Sequence, residues 1–280
     1  MTSLKSAILS CTIFGFFSVI AVDVQAKLGC SRPIKIAVEY PRQNVVDHPR
    51  ITAHQSSRML FDFFDQVGEK SNCQFEWIVV PRARGLLYFQ DGTVDMIYAA
   101  QTDKRDQLGH FVRLFDFRVS LIVLKEHFSD AVNLNDLAQS NLQFNFVRGY
   151  DYGPAYLELK AALEKKKRAE EVADTETIAR KMKVGRAHAT IMAGTIFVAP
   201  AQESDIVDKI AVISLPQLGR RQSGVYLSRG TLAESDRRRL QGGLEEVAKL
   251  YKFRDFIESS YPKWSTKGFI VDEVYGASKP

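Results

Sequence analysis

A cluster of charged and hydrogen-bonding side chains follows a buried strand predicted at residues 94–99. Its members are Gln101, Thr102, Asp103, Lys104 and Arg105. In open α/β sheets, ligands bind beyond the carboxyl ends of the strands. The sequence therefore predicts that this polar corner forms one side of a ligand-binding site.

The elements around this corner alternate between strand and helix. Apolar side chains at 86, 87 and 89 predict a short helix, and Asp91-Gly92 predicts the turn that leads from it into the strand. Upstream, strands predicted at 34–39 and 74–80 flank a predicted helix at 52–70. This alternation is typical of a largely parallel α/β sheet.

The second half of the chain repeats the arrangement, with a helix, a glycine-containing turn at Gly185 and a buried strand at 187–192. Another strand leads through a turn at 148–154 into a charged helix predicted to reach about residue 172. A turn of this kind presents free backbone N–H groups, which suit a carboxylate or phosphate. A glycine that merely permits the turn explains Gly149 equally well.

The composition is that of an ordinary globular protein, with 280 residues, of which 45% are hydrophobic and 25% charged. Such a chain is long enough for two compact units. Its net charge of +5 slightly favours anionic partners. The basic runs at 165–168 and 237–239 contain no aromatic residues and lie in Glu-rich helical contexts, which predicts solvated helix faces and no nucleic-acid partner.

Residues 1–26 have the features of a cleaved secretory signal peptide. Lys5 precedes an apolar run, and Val24-Gln25-Ala26 resembles a signal peptidase site. The location predicted from this segment is the periplasm. A retained membrane anchor is the alternative, since a spanning helix needs about 20 apolar residues, and a lipid anchor on Cys30 is disfavoured by Lys27.

Two cysteines remain after such a cleavage, Cys30 and Cys73, and each precedes a predicted strand. If these strands are parallel neighbours in a βαβ unit, their starting ends lie side by side, within the ~4.4–6.8 Å that a disulfide spans between Cα atoms. An oxidising compartment then favours a Cys30–Cys73 disulfide over two free thiols.

The sequence contains no motif that indicates catalysis. GxSxG, HExxH, CxxC, GxGxxG and the P-loop are absent, and the five histidines are scattered without metal-ligand spacing. We therefore predict no enzyme activity, no cofactor and no metal.

A run of segments resembles the bacterial extracellular solute-binding proteins of the polar-amino-acid type, which are two-lobed periplasmic receptors of ABC importers. The segments are IKIAVEY, RGLLYFQDGTVDMIYAAQTDKRDQLGHF, LIVLKE, LNDLAQSNLQFNFVRGYDYG, KVGRAHATIMAG and SGVYLSR. The resemblance covers residues 33–261, and its most specific part is Gly92-x-x-Asp95 followed by Thr102-x-x-Arg105.

This resemblance implies a type II periplasmic binding protein fold, with two lobes joined by two crossover strands near 119–125 and 221–225. Each lobe would be a mainly parallel sheet flanked by helices. Lobe 1 would comprise 33–124 and 224–280, and lobe 2 would comprise 125–223. A small solute would be held between them in a monomer that contacts a membrane permease transiently, because closure of the lobes creates the form that the permease recognises.

The resemblance also implies residue roles. Arg105 matches the arginine that pairs with a ligand carboxylate, and a guanidinium offers the planar fork of donors for that contact. Glu39 matches an acidic residue that faces the polar group of the ligand, and Tyr40 is expected to form a cleft wall. Gly149 and Tyr150 match the helix start in lobe 2 that receives the carboxylate.

Two departures from the family pattern concern the ligand. Tyr98 stands where relatives have small hydroxyl residues, and Ala193 stands where they have the acid that clamps an α-amino group. The sequence therefore weakens the expectation of a standard α-amino acid. Arg84 and Arg148 are predicted to add positive charge near the cleft, which favours an acidic solute.

Two alternatives to a transport receptor use the same fold. One is a stand-alone ligand sensor, and the other is a dehydratase-like enzyme in which Glu39 assists the removal of water from a small acid. Dependence of solute uptake on the protein would distinguish transport from sensing, and turnover of a small acid would establish an enzyme.

Overall fold

The structure, a computed structural model, describes residues 29–39, 55–127, 133–266, 269, 272 and 273. The predicted signal peptide and Tyr40 lie outside these residues. The strands are β1 (Ile34–Val38), β2 (Phe75–Val79), β3 (Met96–Ala100), β4 (Gly109–Phe117), β5 (Ser120–Leu124), β6 (Phe144–Val147), β7 (Ala169–Val172), β8 (Ala189–Met192), β9 (Ile210–Ser214), β10 (Arg221–Ser228) and β11 (Asp272–Glu273). The helices are α1 (Gln55–Ser71), α2 (Arg82–Gln90), α3 (Asp103–Asp106), α4 (Leu134–Gln139), α5 (Pro154–Lys165), α6 (Thr175–Lys183), α7 (Val198–Glu203), α8 (Glu234–Leu250), α9 (Phe253–Ser260) and α10 (Lys263–Thr266).

The first sheet has the strand order β11-β4-β10-β3-β1-β2. β1 pairs in parallel with β2 and β3, whereas β10 pairs antiparallel with β3 and β4. Phe63 and Phe64 of α1 are fully buried in the core of this lobe, as the helical spacing of its apolar residues predicts. α2 contacts β1 and β3. The carboxyl ends of β1 and β3 therefore lie beside the start of α2.

The second sheet has the order β7-β6-β8-β5-β9. β6 pairs in parallel with β7 and β8, and β5 pairs antiparallel with β8 and β9. The two-lobed α/β architecture predicted from the sequence is thus confirmed. Each sheet is mixed, however, and its parallel part spans only three strands. In each sheet, the strand that enters from the other lobe pairs antiparallel with its neighbours; this strand is β10 in the first sheet and β5 in the second.

The pairing of β5 places it in the second sheet, where all five of its residues are buried. The predicted boundary at residue 124 had assigned this strand to lobe 1. An apolar run is equally compatible with either core, so hydrophobicity alone does not choose between them. β10 joins the first sheet from Arg221 onward. The chain therefore crosses between the sheets at 118–119 and at 215–220.

The C-terminal region packs on both lobes. α10 contacts the 3-10 turn Gly194–Phe197 of the second lobe, and Ser265 is 1% exposed. β11 then pairs with β4 of the first sheet. The ring of Phe269 lies 6.0 Å from that of Phe117, so aromatic contacts help to hold this segment against the rest of the protein.

The disulfide Cys30–Cys73 is present, with 4.9 Å between the Cα atoms. β1 and β2 are parallel neighbours, and Ile34 pairs with Phe75 at their starting ends. The two cysteines precede these strands, so the predicted βαβ geometry brings them together and the prediction of the bridge is confirmed.

Candidate functional site

A cavity of about 200 Å³ lies between the two sheets. The first lobe contributes residues from its strands and from the starts of its helices, namely Ala37, Val38, Glu39, Arg82, Tyr98, Ala99, Ala100, Arg105, Phe115, Phe117 and Ser223. The second lobe contributes Tyr150, Asp151, Tyr152, Thr175, Glu176, Ala193, Thr195, Ile196, Ala199 and Pro200. This is where the sequence placed the ligand, beyond the carboxyl ends of parallel strands.

Aromatic side chains form much of the cavity wall. They are Tyr98, Phe115, Phe117, Tyr150, Tyr152, Tyr261 and Phe269. The ring of Tyr152 lies 5.8 Å from that of Tyr150 and 6.2 Å from that of Phe117, both in edge-to-face arrangements. Tyr261 and Phe269 come from the C-terminal region, which sequence reasoning had not connected with the site.

The Gly92-x-x-Asp95 and Thr102-x-x-Arg105 motifs have structural roles that position Arg105. Gly92 takes a positive φ of 81° in the turn after α2. Asp95 accepts two hydrogen bonds from the Arg32 guanidinium, at 2.6 and 2.7 Å, and fixes the start of β3. Thr102 caps α3 and accepts a hydrogen bond from the backbone N–H of Arg105.

Arg105 is buried, with 5% of its surface exposed, and connects the two lobes. Its Nη1 donates to the carbonyl oxygen of Ala100 at 2.8 Å, and its Nη2 donates across the cleft to the carbonyl oxygen of Gly149 at 3.1 Å. Burial, reinforced by the nearby charge of Arg82, lowers the pKa of Arg105 to about 10. A guanidinium has five N–H donors, so Arg105 keeps donors for a solute while it bridges the lobes.

Arg82 is a second cation at the cavity, and the sequence analysis did not identify it. Its Nη1 donates to the carbonyl oxygen of Tyr98 at 2.7 Å. Its Nε is buried and has no hydrogen-bond partner among the described residues. A buried donor without a partner is costly, so the hydrogen-bonding capacity of the Arg82 guanidinium is incompletely satisfied.

Glu39 also links the lobes, because the hydroxyl of Tyr150 donates to its Oε2 at 3.2 Å. Burial raises the pKa of Glu39 to about 7, against the opposing influences of the Arg82 charge and the Tyr150 hydrogen bond. Glu176 faces the same cavity from the second lobe. It is 6% exposed, and burial raises its pKa as well. Both carboxyl groups therefore hold protons more tightly than in water.

Tyr98 lines the cavity and lies at the carboxyl end of the parallel part of the first sheet. The Ser223 hydroxyl donates to the Tyr98 hydroxyl at 2.6 Å, and burial raises the pKa of Tyr98 to about 12. Ala193 lies on the opposite side, 3% exposed, and presents no carboxylate. The departure that the sequence showed at this position is therefore a feature of the cavity itself.

Two predicted cations do not reach the cavity. Arg84 is exposed on α2, and residues two apart on a helix point in nearly opposite directions, so Arg82 faces inward and Arg84 does not. Arg148 is largely exposed, and its Nε lies 3.8 Å from a carboxylate oxygen of Glu171. The prediction that these two arginines add charge near the cleft is therefore corrected, and Arg82 takes that place.

The predicted helix start in lobe 2 also differs. α5 begins at Pro154 after Gly153, so Gly149 lies in the preceding turn, with a φ of 89°. A Cβ at Gly149 would lie 3.1 Å from the Cδ1 of Leu86 and 3.2 Å from the Cα of Ala83 on the other lobe. Gly149 therefore permits both the turn and the close approach of the lobes. Tyr150 lines the cavity, and its role toward a ligand carboxylate stays a prediction.

Comparison with known proteins supports the fold through structure rather than sequence. No protein-family model matches the sequence, and no curated protein sequence matches it. Among solved structures, an amino acid ABC transporter substrate-binding protein from Streptococcus pneumoniae, bound to L-arginine, has a TM-score of 0.61 at 14% identity, over 81% of this chain and 94% of that one.

The arginine-, lysine-, histidine-binding protein ArtJ from Geobacillus stearothermophilus has a TM-score of 0.62 at 15% identity, over 83% of this chain and 97% of that one. A histidine kinase sensor domain with similarity to periplasmic binding proteins has a TM-score of 0.58 at 14% identity, over 83% and 96%. The chain therefore has the two-lobed fold of amino acid transporter substrate-binding proteins, the type II periplasmic binding fold.

The described residues include neither a membrane-spanning helix nor a cluster of metal ligands. None of the helices in that part of the chain is long and apolar enough to cross a membrane. The same residues contain no group of three or more His, Cys, Asp or Glu side chains that could hold a metal ion.

Proposed function

We propose that this protein is a periplasmic solute-binding receptor that captures a small polar, carboxylate-bearing solute between its lobes and delivers it to an ABC importer. The observation that carries the proposal is the pair of guanidinium groups, Arg82 and Arg105, that line the partly open cavity between the lobes. Among the described residues, neither has a carboxylate within ion-pair distance. A buried cation is stable only with a counter-charge or well-placed acceptors, so the cavity is suited to an anion.

Two hydrogen bonds between the lobes support the idea that the lobes close on a solute. Arg105 donates to Gly149, and Tyr150 donates to Glu39, each across the cleft. A solute held by Arg82 and Arg105 of the first lobe and by Tyr152 of the second adds contacts that exist only in the closed form. Hinge motion at 118–119 and 215–220 would open the cleft, and a permease would recognise the closed form.

The proposal includes the cellular setting. Residues 1–26 would direct export and be removed, and the oxidising periplasm would maintain the Cys30–Cys73 disulfide. The receptor would act as a monomer with transient permease contact, and without a cofactor.

Native mass spectrometry of the protein purified from its own periplasm tests this function. We expect a co-purified mass that matches a small carboxylate, and a rise in melting temperature when that compound is added back. A ligand at ~100 times its dissociation constant stabilises a protein by about 2.7 kcal/mol. If no small acid co-purifies or raises the melting temperature, the receptor assignment is wrong.

A stand-alone sensor is the second candidate, because the fold also matches the histidine kinase sensor domain. Deletion of the gene separates the two. Transport requires that uptake of the bound solute falls in the deletion strain, whereas a sensor leaves uptake by existing permeases intact and alters only the response to the solute.

A further inference from the structure

We propose that Arg82 is the main anchor of the solute carboxylate, and that the solute is an aromatic monocarboxylate whose recognition requires no α-ammonium group. This inference rests on the receptor function proposed above. It goes further by assigning an anchoring residue and a chemical class.

Arg82 differs from Arg105 in how much of its guanidinium the protein already uses. Both Nη atoms of Arg105 donate to backbone carbonyl oxygens, one in each lobe. Arg82 uses Nη1 for the Tyr98 carbonyl, which fixes the orientation of the group, while its buried Nε has no partner among the described residues. The guanidinium of Arg82 lines the cavity and can make a charge-assisted contact to a carboxylate there, and a small shift of the group on binding would give its buried Nε a partner.

The charge of Arg82 reaches most of the polar groups around the cavity. After burial, which is the largest influence on each, the positive charge of Arg82 lowers the pKa of Glu39, Tyr98, Arg105 and Tyr152. Arg82 and Arg105 repel each other, and this repulsion is strong where water is scarce. An anion beside both groups relieves the repulsion, so a position between Arg82 and Arg105, both of which line the cavity, favours a carboxylate.

The remaining space has the size and lining for an aromatic ring. A cavity of roughly 150 Å³ lined by apolar side chains holds benzene, and this one is about 200 Å³. It therefore accommodates a benzene ring with a short carboxylate-bearing chain, on the order of ten to twelve non-hydrogen atoms. Phe117, Tyr152 and Phe269 supply edge-to-face and tilted ring contacts on its wall, the arrangements that aromatic partners prefer.

Among the described residues, the carboxyl groups at the cavity are already engaged or hold their protons tightly. Ala193 presents only a methyl group to the cavity. Glu39 already accepts the Tyr150 hydroxyl, and Asp151 accepts the backbone N–H of Gly153. Burial raises the pKa of both Glu39 and Glu176, so neither is a strong partner for a cation near neutral pH. The carboxylate and the ring therefore account for recognition without an ammonium group.

A matched pair of ligands tests the chemical class. 3-Phenylpropanoate and L-phenylalanine share one carbon skeleton and differ only in the α-ammonium group. We expect isothermal titration calorimetry at neutral pH to show that 3-phenylpropanoate binds the full mature protein at least tenfold more tightly. Tighter binding of L-phenylalanine overturns the class assignment.

Two variants of α2 test the anchor. Arg82→Met should weaken binding of 3-phenylpropanoate by roughly tenfold or more, the effect of losing a charge-assisted hydrogen bond. Arg84→Met, which removes an exposed cation two residues away, should leave the affinity unchanged. Arg82→Lys keeps the charge without the planar fork, and an intermediate affinity identifies the fork as the recognised feature even if Arg82→Met folds poorly. Equal affinities of the Arg82→Lys and Arg84→Met proteins overturn the anchor assignment.

Failure of the inference can be told apart from failure of the receptor function. If L-phenylalanine or an aliphatic dicarboxylate binds and 3-phenylpropanoate does not, the inference is wrong while the receptor function stands. If no small carboxylate in such a panel binds or raises the melting temperature, both are wrong.

Discussion

The buried carboxyl group of Glu39 should make the stability of the protein depend on pH. Replacement of Glu39 by glutamine should remove this dependence. Burial raises its pKa from 4.5 to about 7. A difference of about 2.5 pH units at about 1.36 kcal/mol each corresponds to roughly 3 kcal/mol. Part of the Glu39 side chain borders the cavity and is solvated there, so this figure is an upper limit.

The sign of the effect follows from the direction of the pKa change. Below about pH 4.5, Glu39 is protonated in the folded and unfolded states, and its favourable contribution to folding is fully present. As the pH rises through 7, the buried group must ionise, and the contribution is lost. Glutamine does not ionise, and its carbonyl oxygen can accept the Tyr150 hydroxyl. The Glu39→Gln protein therefore does not lose this stability as the pH rises.

Urea unfolding of both proteins at pH 4.5, 6, 7 and 8 measures the effect. The difference in unfolding free energy between them cancels the titration of all other groups. We expect the unfolding free energy of Glu39→Gln, relative to that of the wild-type protein, to increase by up to about 3 kcal/mol as the pH rises from 4.5 to 8. Parallel curves over this range would show that Glu39 is not buried as the structure places it.

Three further predictions concern closure and the disulfide. Arg105→Ala should weaken solute binding by roughly 10-fold to 150-fold, since it removes a charge-assisted bond to Gly149 across the cleft; calorimetry measures it, and full retained affinity would contradict the assignment of Arg105. Gly149→Ala should lower solute affinity more than Gly185→Ala does. Both glycines have a positive φ, but only the Cβ at 149 meets the opposite lobe; equal losses would mean that backbone strain alone is responsible. Replacing Cys30 and Cys73 by serine should destabilise the protein by about 4 kcal/mol, because the bridge closes a loop with a sequence separation of 43 residues; thermal unfolding under oxidising conditions measures it, and an unchanged melting temperature would contradict the bridge.

Sequence patterns predicted the disulfide and the polar corner because both depend on local order. The two cysteines precede adjacent parallel strands, and Arg105 follows β3 directly. The distinction between Arg82 and Arg84 depended instead on the rotation of α2. Sequence analysis counted Leu87 among its apolar residues, but Leu87 is 59% exposed. The buried positions on this helix are Gly85 and Phe89, which lie three and seven residues after Arg82 and share its face.

The second half of the chain shows another limit of sequence patterns. A charged helix was expected to reach about residue 172, yet α5 ends at Lys165, Lys167 takes a positive φ of 57°, and β7 follows. The four residues of β7 include two adjacent glutamates and show no alternation that would indicate a strand against a strongly helical context. The pairing of β7 with β6 is a tertiary contact that stabilises the strand, and no local signal reports it.

The contacts across the cleft bear on how a small solute would favour closure of the lobes in the proposed receptor. A ligand shifts an equilibrium only by the difference between its affinities for the two forms. Arg82 and Arg105 belong to one lobe, whereas Tyr150 and Tyr152 belong to the other, so a solute that touches both sets gains most of its binding energy in the closed form. The protein's own links, from Arg105 to Gly149 and from Tyr150 to Glu39, contribute on the order of 1–3 kcal/mol each. Separation of the lobes would break both links, so in the proposed receptor an anion held by Arg82 adds to a preference for the closed form that the protein's own contacts already provide.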